Sequence, residues 1–153
     1  MNKMKYFAYG SNLSHAQMKA RCSSSRFIGV GKLKNYRFVF DGYSRQWGCA
    51  VANIVPSENE SVWGGIYELS DKDLQILDRH EGRGVRYNRK EVGVSLLDGS
   101  NINCSTYLRS AQEVGQPSKA YLKALRTGLA DCNLHGDHQS TTTVAGPTGV
   151  QTA

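Results

Sequence analysis

The sequence predicts an α+β domain whose mostly antiparallel sheet curls toward a barrel, with helices covering its open faces. Apolar alternation bounded by turn residues recurs near 4–9, 26–33, 35–41, 48–55, 61–69, 90–97 and 102–109, which predicts seven strands. Three patterns of helical period, each behind a serine cap, interrupt or follow them. The 153 residues suffice for one core and are too few for two.

Taken in order, the first strand runs into YFAYGSNL and stops on Gly10-Ser11-Asn12. Ser14 and Gln17 then form a capping box over HAQMKAR. In Tyr36-Arg37-Phe38-Val39-Phe40 the aromatics share one face of a strand. Ser70 with Asp73 starts the second helix, DKDLQILDRHE, which Gly82 should end. Leu97-Asp98-Gly99-Ser100 carries the Asp-Gly signal of a tight hairpin. Ser118, after Pro117, caps KAYLKALRTGL, a helix expected to close near Gly128. From about Ser140 the composition turns to STTTVAGPTGVQTA, with no charge or aromatic to offset its ordering entropy. The expected division is therefore a domain over 1–139 and a low-complexity tail over 140–153.

The net charge of +6 comes from 19 basic and 13 acidic residues and is spread thinly. Its densest stretch, RGVRYNRK, spaces Arg83, Arg86, Arg89 and Lys90 around Tyr87 as the solvated face of a strand would, so no nucleic-acid partner is expected. No apolar run has the length of a membrane span, and MNKMKYFAYG has no apolar signal core. The expectation is a cytoplasmic protein without a membrane partner; a homodimer is left open. Cys22, Cys49, Cys104 and Cys132 lie far apart without a C-x-x-C pair and read as free thiols, mostly buried. His135, Asp137 and His138 lack the i, i+4 spacing of helical metal ligands, so no metal is expected.

Three constellations could carry chemistry. A strand ending on Gly-Ser-Asn and feeding a capped helix gathers backbone N–H groups that suit an anion or oxyanion, although Ser11, Asn12 and Ser14 could equally serve only as caps. Ser11 is no nucleophile elbow, because Leu13 stands where G-x-S-x-G needs its second glycine. On the second helix Leu74, Leu77 and Glu81 share a face, so an inward stripe ends in a carboxylate. Beside the negative end of the helix dipole, that carboxyl is poised as a general base, unless it passes the core and reaches solvent. Tyr121 shares an apolar face with Leu125, either as core or with its hydroxyl at a rim.

YFAYGSNL, VWGGIYEL, LQILDRHEG followed by Tyr87, CSTYLR and PSKAYLKAL occur in the order found in the gamma-glutamylcyclotransferases, which the chain resembles from about Tyr6 to about Leu134. The resemblance implies a mixed β-barrel flanked by helices, with a cavity at one end. It implies that Tyr9, Gly10, Ser11, Asn12 and Leu13 hold a gamma-glutamyl group, that Glu81 is the catalytic acid/base, and that Tyr87 and Tyr121 line the cavity. After the last helix the chain reads GLADCNLHGDH, without the Leu-Pro step usual in the family.

The implied reaction needs no protein nucleophile. The α-amine of a gamma-glutamyl compound attacks its own γ-carbonyl, closing 5-oxoproline and releasing an amine. Neither metal nor organic cofactor is expected, and the partner is the small gamma-glutamyl substrate. Arg83, Arg86 and Arg89 would favour an acidic leaving group. A sensor that binds without turnover, or an enzyme removing a gamma-glutamyl protecting group in specialised metabolism, are the alternatives.

Overall fold

The computed structural model describes residues 3–81 and 87–134, except the side chain of Glu81. The element order is β1 (Lys3–Ala8), a 3-10 turn (Ser11–Leu13), α1 (His15–Arg21), β2 (Arg26–Ser44), β3 (Cys49–Ser70), α2 (Asp71–Glu81), β4 (Asn88–Leu96), β5 (Asn101–Leu108) and α3 (Lys119–Asp131). The strands close a barrel in the order β1-β3-β2-β4-β5. Every described pairing is antiparallel except the closing seam, where β1 runs parallel to β5 at Tyr6 and Ser105.

Seven strands were expected and five are found among the described residues, because two expected breaks are bends within continuous strands. The stretches 26–33 and 35–41 join in β2 through Asn35, and 48–55 and 61–69 join in β3 through a segment containing Asn59. Both asparagines sit at φ 68°, a left-handed conformation that asparagine tolerates. The Asn59 N–H donates to Asn35 Oδ1 at 3.2 Å, so the two irregularities brace each other while pairing resumes on either side. The Asp-Gly hairpin forms as expected, with Gly99 at φ 90° and its N–H bonded to the Leu96 carbonyl at 3.0 Å.

The serine caps form too. Ser14 Oγ accepts from the Gln17 N–H, Ser70 Oγ from Asp73, and Ser118 Oγ from Tyr121, at 3.1–3.2 Å. The third helix, however, passes through Gly128 and ends at Asp131. Gly128 is needed for close approach: a Cβ there would lie 2.5 Å from Leu13 Cβ and 2.6 Å from the Ser14 nitrogen. This contact seats α3 on the turn that follows β1. Phe7, Leu13, Ile54, Ile66, Leu69, Leu74, Leu77 and Val94 fill the core with no more than traces of exposure. All four cysteines are buried free thiols, as their spacing implied. Gly82, the basic residues Arg83 and Arg86, the HGDH stretch and the tail beyond Ser140 lie outside the described residues.

Candidate active site

At one end of the barrel, β1 delivers Tyr9 and Gly10 into the 3-10 turn. The turn consumes part of its own hydrogen-bonding capacity: the Leu13 N–H bonds the Gly10 carbonyl and the Ser14 N–H bonds Ser11, both at 3.0 Å. Leu13 therefore offers no backbone donor to a ligand, in contrast to the expectation for the loop as a whole. Among the described residues the turn leaves the N–H groups of Ser11 and Asn12 unspent.

A cavity opens beside this turn, with about 350 Å³ of empty space including its mouth. Tyr9, Gly10, Ser11, Asn12, Tyr87 and Tyr121 line it, so six of the residues named from sequence converge on one place. Leu13 does not line the cavity; it is fully buried beneath it, and its carbonyl accepts from the Tyr67 hydroxyl at 3.1 Å. Tyr6, Ala52 and Tyr107 complete the lining and were not singled out in advance. Tyr6 and Tyr107 stand within the stretches YFAYGSNL and CSTYLR, but nothing local distinguishes them from core aromatics. Ala52 carries no chemical signal at all; it matters through its peptide group.

The walls are held by hydrogen bonds from tyrosine hydroxyls to fixed backbone. Tyr9 donates to the Tyr107 carbonyl at 2.5 Å, and Tyr87 donates to the Ala52 carbonyl at 2.6 Å. The Ala52 N–H donates to the Tyr121 hydroxyl at 2.9 Å, so both main-chain polar groups of Ala52 are bonded to tyrosines. Tyr121 is buried, which joins the two sequence readings: it packs in the core and its oxygen reaches the rim. The fit at Gly10 is close: a Cβ there would lie 3.3 Å from Ala52 Cβ, so that neighbour would have to give by a few tenths of an ångström, and 3.4 Å from the Tyr121 hydroxyl.

Asn12 is buried, and its amide is engaged at both ends. Its Nδ2 donates to the Tyr6 hydroxyl at 3.0 Å, while its Oδ1 accepts from Gln17 Nε2 at 3.0 Å and Arg21 at 2.9 Å. Gln17 Nε2 also donates to Ser11 Oγ at 2.8 Å. The side chain of Asn12 thus shapes the loop, and what it presents to the cavity is chiefly backbone. Gln17 does only half of the expected capping box: its N–H is capped, and its side chain turns to the loop instead.

Glu81 is the last residue of α2, and its side chain lies outside the described residues. The helix that carries it is pinned. Leu74 and Leu77 are fully buried, and the Tyr107 hydroxyl donates to Asp78 Oδ1 at 2.6 Å, one turn before Glu81. Arg89 Nε lies 3.6 Å from the same carboxylate oxygen, so of the three arginines expected near the leaving group, the described one is engaged with α2.

Cys22, Cys104 and Cys132 are not competing nucleophiles. Burial pushes Cys22 and Cys132 up to about 12 and Cys104 to about 11, with nearby carboxylates adding to the effect. Burial likewise keeps the Tyr67 phenol neutral well beyond its ordinary range.

Residues 6–124 match the family model for gamma-glutamyl cyclotransferase, AIG2-like. The gamma-glutamylcyclotransferase of Mus musculus is 32% identical over 140 residues, covering 88% of this chain and 74% of that protein. Among solved structures, a gamma-glutamyl cyclotransferase superposes with a TM-score of 0.80 at 30% identity, over 85% of this chain and 80% of its own. A Homo sapiens protein solved as uncharacterised superposes with a TM-score of 0.81 at 27% identity, over 100% of this chain and 93% of that one.

Proposed function

The chain belongs to the gamma-glutamylcyclotransferase family, and from that premise we propose that its cavity converts gamma-glutamyl amino acids, peptides or amines to 5-oxoproline and free amine with Glu81 as the acid/base. The observation that carries this reading is convergence. Tyr9, Gly10, Ser11, Asn12, Tyr87 and Tyr121 line one cavity, and the last turn of α2 is tied to a seventh lining residue, Tyr107, through Asp78.

The chemistry follows from what the substrate already contains. Its α-ammonium loses a proton to the Glu81 carboxylate, and the freed amine attacks the γ-carbonyl carbon to form a new C–N bond. Charge gathers on the former carbonyl oxygen. The N–H groups of Ser11 and Asn12 are the donors suited to that oxygen or to the substrate carboxylate. The protonated Glu81 then returns its proton to the leaving nitrogen, the original amide bond breaks, and the attacking nitrogen gives up its second proton through the same carboxylate to the released amine, so that 5-oxoproline departs as the neutral lactam beside an ammonium. One carboxyl group performs these transfers, so it must hold a proton briefly between them, a task favoured by the negative end of α2.

The test is release of 5-oxoproline from a panel of gamma-glutamyl amino acids, gamma-glutamyl peptides including glutathione, and gamma-glutamyl amines, with wild type beside Glu81→Gln. Turnover by wild type that disappears in the folded variant supports the mechanism and identifies the leaving group. Saturable binding without turnover by wild type would overturn it in favour of a sensor.

A further inference from the structure

Behind the cavity wall lies a buried ion pair that the mechanism does not use. Arg109 and Asp41 are 4% and 1% exposed at their side chains, and an Arg109 terminal nitrogen lies 2.5 Å from Asp41 Oδ1. The same nitrogen donates to the Asp41 carbonyl at 2.7 Å. Asp41 Oδ2 accepts from Asn53 Nδ2 at 3.1 Å and from the Gln112 N–H at 3.0 Å. Asn53 also clasps the Arg109 backbone, accepting from its N–H at 3.2 Å and donating to its carbonyl at 3.1 Å.

Taking two charges out of water costs several kcal/mol per ion, and a packed apolar pair often stabilises a fold as well or better. Stability is therefore a poor account of this pair. Its geometry points to another role. The guanidinium carbon lies 4.5 Å from the centre of the Tyr87 ring, and the second terminal nitrogen donates to the Ala52 carbonyl at 3.3 Å. That carbonyl also accepts from the Tyr87 hydroxyl. One planar cation thus fixes the ring of Tyr87 on its face and the carbonyl that receives the tip of the same ring.

We propose that Arg109, held by Asp41, is a positioning residue that sets the Tyr87 ring in the cavity wall, directly at its face and through the Ala52 carbonyl that receives its hydroxyl, so that turnover depends on it although it touches no substrate. The inference rests on the cavity being the site of cyclotransfer. Lysine cannot replace arginine here, because a point charge on a flexible stem cannot lie flat under the ring while also reaching Asp41 and Ala52.

Two variants test it: Arg109→Lys, and the apolar pair Asp41→Leu/Arg109→Met, in which no charge is stranded. Each is measured for 5-oxoproline release, for thermal midpoint, and for the ring signal of Tyr87 in protein labelled with 13C-tyrosine, identified by its loss in Tyr87→Phe. The expected result is a displaced Tyr87 signal and a fall in kcat/KM of about 10- to 100-fold in protein that remains folded at the assay temperature. In a Tyr87→Ala background the further loss from Arg109→Lys should shrink to less than about two-fold, because the residue through which Arg109 acts is gone. Losses that multiply independently in the double variant, or an unmoved Tyr87 signal, would overturn the inference. If wild type releases no 5-oxoproline from any substrate, the cyclotransfer reading fails, while the Tyr87 signal still decides whether Arg109 positions the ring.

Discussion

Two polar networks flank the cavity, and they are built differently. The one beneath the loop joins Asn12 to Tyr6, Ser11 through Gln17, and Arg21, all within one strand, one turn and one short helix. Its only charge, on Arg21, is partly solvated. The other joins Asp41, Asn53, Ala52, Tyr87 and Arg109 from β2, β3, the residue that follows β5 and the approach to β4, with its ion pair almost wholly out of water. The contrast teaches that the two cavity walls are held by forces of different range. The loop is shaped by neighbours in sequence and should tolerate changes elsewhere in the barrel, while the Tyr87 wall depends on several strands keeping register at once.

The strongest check separates both networks from the chemistry. Glu81→Gln belongs to neither, so it should leave the thermal midpoint within experimental scatter while lowering kcat by about 10²- to 10⁴-fold, the usual contribution of a positioned acid/base. An active variant would shift the chemistry onto one of the networks and erase the distinction.

Next comes the local network itself. Asn12→Ala removes one hydrogen-bond partner each from the Tyr6 hydroxyl, the Gln17 amide and the Arg21 guanidinium and should cost about 1–3 kcal/mol in urea unfolding. It should raise KM for gamma-glutamyl substrates through loss of loop shape, with a smaller change in kcat. If Asn12→Ala instead displaces the Tyr87 signal as strongly as Arg109→Lys does, the networks are coupled and the comparison breaks.

Gly128→Ala probes the loop from below. The added carbon would press on Leu13 and the Ser14 nitrogen, and the expected cost is about 1–3 kcal/mol from overpacking, read by the same unfolding experiment. Ser14→Ala removes only the cap of α1 and should cost about 1 kcal/mol.

At neutral pH the smallest effect is that of the buried thiols, two of which, Cys22 and Cys132, border α1 and the loop. Their folded values lie above the ordinary thiol value of about 9, so they stay protonated in the fold while the unfolded chain ionises. The folded state then holds more protons than the unfolded state, and stability falls as pH rises. Their contribution is complete below about pH 9 and drains away toward about pH 12. The thermal midpoint should accordingly decline above pH 9, and a thiol reagent at pH 8 should label the native protein far more slowly than the unfolded one.

How much of this was legible can be followed residue by residue. The caps at Ser14, Ser70 and Ser118 and the Asp-Gly hairpin rest on interactions within a few residues, and all form, although the side chains of Gln17 and Asp73 turn to Ser11 and Ser24 instead of closing the boxes. The loop and Tyr121 stand out in the residue pattern and Tyr87 through family resemblance, and the structure gathers all of them but Leu13 around one cavity. The strand breaks at 34 and 56–60 were misread because asparagine marks turns and bulges alike, and only the partner strand tells them apart. Gly128 looked like a helix end for a similar reason: a glycine that closes a helix and one that admits another backbone look the same in sequence.

What this sequence determined by itself was therefore its class, its capped helices, its hairpin and the loop that ends the first strand, since these depend on short-range sterics and hydrogen bonds. Tertiary structure alone decided the parallel seam between β1 and β5, the presence of Tyr6, Ala52 and Tyr107 in the cavity, and the meeting of Asp41 with Arg109. Those contacts join residues up to about a hundred positions apart. Their energy exists only after loop closure has been offset by the whole core, so no local window of sequence contains it.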